Sequence, residues 1–146
     1  MVSFLQADTS HVIVEYNYGN QIIRSALKIY SDGRVEGKEI EHYRVKKSIE
    51  AQFSESDLAR LKISIENASS GDYQEKYGSH TTLGSRSGSL IVHTMSKKSV
   101  PIRIIERAVS TQPYPKDTVT INLSPDARWI EERVLSFVET KMPLDQ

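Results

Sequence analysis

Three features of the sequence predict an α+β fold built on a mostly antiparallel sheet. Residues 21–45, QIIRSALKIYSDGRVEGKEIEHYRV, place two β-prone runs around Ser31-Asp32-Gly33, and a three-residue loop ending in Gly suits a type I turn followed by a left-handed bulge position. An alternating run before Gly19-Asn20 supplies a second hairpin signal. Two further segments, opened by Ser54 and Ser124, carry apolar residues at helical spacing. The predicted order is β-β-β-α-β-β-β-α, with two amphipathic helices packed on one face of the sheet.

A chain of 146 residues fits a single domain, 1–146, with 1–10 as an N-terminal extension, 69–87 as a long loop and 142–146 as a C-terminal tail. Its 19 basic and 19 acidic side chains cancel, so no whole-molecule field draws it to nucleic acid or anionic membrane. The absence of cysteine excludes disulfides, thiol catalysis and cysteine-ligated metal. The opening MVSFLQADTS has neither the basic start nor the apolar stretch of a secretory signal, and no run is long enough to span a bilayer. A cytoplasmic location is therefore expected.

The first strand runs from His11 to Tyr18. A two-residue type II′ turn at Gly19-Asn20 pairs Tyr18 with Gln21, which sets Tyr16 opposite Ile23 and Val12 opposite Leu27. In the next hairpin Ile29 falls opposite Val35. Together the turns give one apolar face: Val12, Val14, Tyr16, Ile23, Leu27, Ile29 and Val35. The other face carries His11, Glu15, Arg24, Lys28, Glu36 and Lys38, with Glu15 across from Arg24 and Lys28 across from Glu36. Beyond Gly37, Ile40 changes parity, which predicts a bulge or bend before the strand ends in the basic stretch from Arg44 to Ser48.

Ser54 is a good N-cap, Asp57 can answer it, and Phe53 with Leu58 forms a hydrophobic staple. Leu58, Leu61, Ile65 and Ala68 make the buried stripe of a helix ending between Asn67 and Ser70. A further hairpin spans Gly88 to Arg107. With Lys97 and Lys98 in its loop, Met95 lies opposite Val100, His93 opposite Ile102 and Ile91 opposite Ile104. After the Pro113-Tyr114-Pro115 interruption, Thr118 to Leu123 alternates as a strand. Ser124 caps the last helix, Pro125 takes its first position, and Ala127, Ile130, Val134, Phe137 and Val138 form its apolar stripe. The two halves share a pattern, but their residues do not align as a repeat.

No catalytic motif is present. There is no G-x-S-x-G, P-loop, H-E-x-x-H or EF-hand spacing, so neither cofactor nor metal is expected. Residues 69–87 are long for a compact domain, which predicts either a functional loop or a mobile one and makes them the leading place to look for function. Tyr73, Tyr77, His80 and Arg86 in that loop, joined by Tyr114, are the candidate binding residues, because tyrosine combines apolar area with a polar tip at interfaces. The expected function is that of a small non-catalytic binding or accessory protein acting on another protein, with a homodimer as an option.

Two alternatives stand beside it. A small enzyme would use His80 or His93 as general base, in a concave pocket where the histidine meets Ser, Asp or Glu. His93, on the apolar face of its strand, is otherwise expected to find a structural partner, and His11 and His42 are expected to be solvated. Nucleic-acid binding would use Arg44, Lys46, Lys47, Lys97 and Lys98, with Tyr43 stacking; lysine on edge strands more often serves solubility, so this is the least favoured reading.

Overall fold

The computed structural model describes residues 10–20, 22–68, 86–96, 98–107, 118–120 and 124–141. The elements are β1 (Val12–Gly19), β2 (Ile23–Tyr30), β3 (Arg34–Glu41), β4 (Arg44–Gln52), α1 (Glu55–Ala68), β5 (Arg86–His93), β6 (Ser99–Arg107), β7 (Thr118–Thr120) and α2 (Pro125–Lys141). The strands form one antiparallel sheet in the order β4-β3-β2-β1-β5-β6-β7. The α+β class is as predicted. The order is corrected by one strand: the basic stretch after Glu41 is the start of β4, which also ends the resemblance between halves.

The turn between β2 and β3 has the predicted register, with Ile29 opposite Val35 and Lys28 opposite Glu36. Gly33 sits at φ 89°, and Asp32 Oδ1 accepts the N–H of Arg34 at 3.0 Å, so Asp32 is a turn residue. Arg34 stacks on Tyr30 at 3.9 Å. The β1–β2 register differs from expectation: Tyr16 faces Leu27 and Glu15 faces Lys28 rather than Arg24. Asn20 explains the shift. Its Oδ1 accepts the N–H groups of Ile22 and Ile23 at 2.7 and 2.8 Å, which stabilises a longer loop than the type II′ turn. The displacement is even, so the apolar set stays on one face and Val14, Tyr16, Leu27, Ile29 and Val35 are all buried. Ile23 and Val12 are only half-buried, and a bulge between Val12 and Val14 turns Ile13 into the core.

The predicted irregularity after Gly37 is a register shift between Glu39 and Ile40 in the β3–β4 ladder. The chain then reverses at His42-Tyr43, two non-glycine residues both at positive φ. In β5–β6 the register is corrected by an odd number of residues. Val92 faces Val100 and His93 faces Ser99, with a shift between Leu90 and Ile91. The N–H of Thr94 donates to the carbonyl of Lys98 at 2.9 Å, and its hydroxyl accepts the N–H of Lys98 at 3.1 Å, so Thr94 and Lys98 close the turn in place of Ser96 and Ser99, two positions earlier on β5 and one on β6. Leu90, Val92, Val100 and Ile102 are therefore buried, and His93 leaves the apolar face.

Both helices begin as predicted. Ser54 Oγ accepts the N–H of Asp57 at 3.2 Å, and Ser124 Oγ accepts that of Ala127 at 3.1 Å. Leu61, Ile65 and Ala68 of α1 and Ala127, Ile130, Val134 and Val138 of α2 join the inward strand residues in one core cluster. Trp129 of α2 lies under the guanidinium of Arg60 at 4.8 Å, and Arg133 reaches Asp57 at 3.5 Å, so the helices also meet at a polar seam.

Candidate functional site

A cavity of about 190 Å³ opens at the end of the sheet where β1 begins and β5 ends. Its lining combines Ile13, Ile65 and Met95 with the polar groups of His11, Ser31, Lys62, Glu66 and His93. The β1 bulge makes it, because the extra residue turns Ile13 toward α1. One backbone and one side-chain contact hold the β1 side: Ser31 N–H donates to the His11 carbonyl at 2.7 Å, and His11 N–H donates to Ser31 Oγ at 3.0 Å. On the other side, Glu66 of α1 accepts the N–H of Met95 at 2.9 Å, tying the helix to the β5–β6 turn. Met95 is 83% exposed despite its size, and Ile65 beneath is 2% exposed.

His93 stands at the cavity wall with its ring fixed from both sides. Nε2 lies 2.6 Å from Glu15 Oε2 on the neighbouring strand, and Nδ1 lies 2.9 Å from Ser99 Oγ on β6. The odd register shift in β5–β6 creates this series by moving His93 from the apolar to the polar face beside Glu15. A structural partner for His93 was expected; the residue across from it is Ser99 and not the expected Ile102. Neither Glu15 nor Ser99 lines the cavity, so the series supports the imidazole from behind.

No family model, curated protein or solved structure matches the chain.

Of the predicted binding residues, Tyr73, Tyr77, His80 and Tyr114 lie outside the described residues, and for Arg86 only its backbone place at the start of β5 is described. His11 and His42 are exposed, as expected. Lys97 lies outside the described residues, and the other predicted basic residues do not form one group: Arg44, Lys46 and Lys47 lie on edge strand β4, whereas Lys98 follows β5, with β3, β2 and β1 between. Lys46 Nζ is 3.2 Å from Glu41. Among the described residues no three His, Asp or Glu side chains group as a metal site, and no helix is long and apolar enough to cross a membrane. Sequence reasoning missed the cavity itself. The parity break between His11 and Val14 was the available signal, since a second apolar residue, Ile13, sits where the alternation calls for a polar one.

Proposed function

We propose that the chain is a small non-catalytic binding protein that accepts one apolar side chain of a protein partner in the cavity at the end of the sheet. The supporting observation is an apolar floor at Ile13 and Ile65 beside an 83% exposed Met95, ringed by His11, Lys62, Glu66 and His93. Methionine adapts to varied surfaces, and an apolar cavity of about 150 Å³ is enough for a benzene-sized group. The polar ring would orient the segment bearing that group. In this reading Tyr73, Tyr77, His80, Arg86 and Tyr114 supply a second contact surface, and the protein works in the cytoplasm.

Affinity capture from a native extract, run with the wild-type chain, Met95→Glu and a chain lacking residues 71–86, tests the reading. The partner should be retained by the wild type and lost with Met95→Glu. A partner lost only on deletion moves the contact to the loop, and retention by both variants removes the proposal.

The hydrogen-bonded series Ser99–His93–Glu15 favours a second reading, in which His93 draws a proton from Ser99. Labelling of Ser99 by an acylating or phosphonylating serine probe, abolished in His93→Gln, would support it; no labelling would leave the series structural.

A further inference from the structure

We infer that β4 is a dimerisation edge, on which a second copy of this chain adds antiparallel to the same strand about a twofold axis at Ser48. β4 ends the sheet, and only Ile49 and Ala51 among its nine residues escape full exposure. The N–H of Phe53 donates to the Gly33 carbonyl at 2.9 Å, which sets the alternation of the β3–β4 ladder. By that alternation Ile49 and Ala51 direct their N–H and C=O groups at β3, and Ser48, Glu50 and Gln52 direct theirs off the sheet. Three consecutive outward positions form a ready template for another strand.

The sequence of the strand selects the partner and the register. About Ser48, antiparallel self-pairing places Lys46 opposite Glu50 twice, once on each side of the axis, so that the Lys46 ammonium, 3.2 Å from Glu41 of its own chain, is shared with or turned toward the partner's Glu50. Centring the axis on Glu50 sets carboxylate against carboxylate, and centring it on Lys46 sets ammonium against ammonium. Within the chain, moreover, the residue directly across from Glu50 is another carboxylate, Glu36. Like charges at such a pair are unfavourable, and a partner's Lys46 on the other flank of Glu50 offsets them. Lysine on an edge usually discourages pairing, but here the cation and anion are spaced symmetrically, so strands of this one sequence attract each other. The register shift in the β3–β4 ladder falls at Lys46, so the new pairing runs from Lys46 to Glu50 on each strand, and a twofold pairing uses the edge up, which gives a closed dimer rather than a fibre.

Sedimentation equilibrium over about 1–300 μM tests this with the full chain. The wild type should dimerise. Lys46→Glu and Glu50→Lys should each weaken the dimer about tenfold or more, because symmetry doubles every charge change. An equimolar mixture of the two variants should recover wild-type affinity as a heterodimer, since each chain then presents to the other the charge it needs. Thermal melts separate this from misfolding: Glu50→Lys faces Glu36 with an opposite charge, so the monomer should melt no lower than wild type while the dimer weakens. Ser48→Pro, which removes only an outward N–H, should abolish the dimer with the monomer still folded. A wild type monomeric at the highest concentration, or a dimer indifferent to these variants, overturns the inference.

Discussion

The backbone N–H of Phe53 donates to the carbonyl of Gly33 at 2.9 Å, so the turn between β2 and β3 is joined directly to the residue that precedes the cap of α1. Gln52 Nε2 adds a 2.8 Å bond to the carbonyl of Asp32. One short loop thus sets both a hairpin register and the entry of a helix.

A Cβ at Gly33 would stand 2.6 Å from Gln52 Nε2 and 3.2 Å from Leu58 Cδ2, on a backbone at φ 89°. Gly33→Ala should therefore lower stability by about 1–3 kcal/mol, read as a fall in the urea midpoint at constant slope. A midpoint within error of wild type would show that the turn relaxes.

Ser54→Ala removes the acceptor for the Asp57 N–H. The expected loss is about 1 kcal/mol, with Ser54→Asp close to wild type in the same denaturation assay.

The parts of the fold legible in the sequence are those where local chemistry and burial agree. Gly33 fixes a turn, Ser54 and Ser124 fix helix starts, and alternation fixes which side chains of β1 to β3 face inward. Asn20 hides the true loop length, yet its even displacement leaves Leu27 inside. The odd displacement at Thr94 is costlier to the reading, because it carries His93 to the opposite face. β4 escapes notice for another reason. Its first five residues, Arg44 to Ser48, are all exposed and show no alternation, and the His42-Tyr43 turn before it lacks the Gly or Asn that announces a tight hairpin. The cavity depends on the Ile13 bulge and on Glu66 meeting Met95, relationships between distant segments that no local pattern encodes.

His42 and Tyr43 adopt φ of 52° and 65°, and Tyr43 is 88% exposed, so the turn carries strain without packing to offset it. The double substitution His42→Asn, Tyr43→Gly should raise stability by about 1 kcal/mol, measured as a higher melting temperature. A lower value would reveal contacts of the tyrosine ring that outweigh backbone relief.

Ser64 is wholly buried on the inward side of α1, and its Oγ makes no hydrogen bond among the described residues. Ser64→Ala removes an unsatisfied polar group and improves helix propensity, so a gain of about 1 kcal/mol is expected by chemical denaturation. A loss would point to a partner for the hydroxyl.

Strand β1 pairs with β2 beside it in the chain and with β5 on its other flank, where Val14 meets Val92 and Gly19 meets Ser87. The four strands from β1 to β4 form by closing short turns, whereas the seam with β5 must bring together segments roughly seventy residues apart, a much larger entropic demand. That seam is therefore the expected pace-setter of folding, and the cavity at the head of β1 is complete only with β5 in place, because His93 of β5 and Met95 after it supply part of its wall.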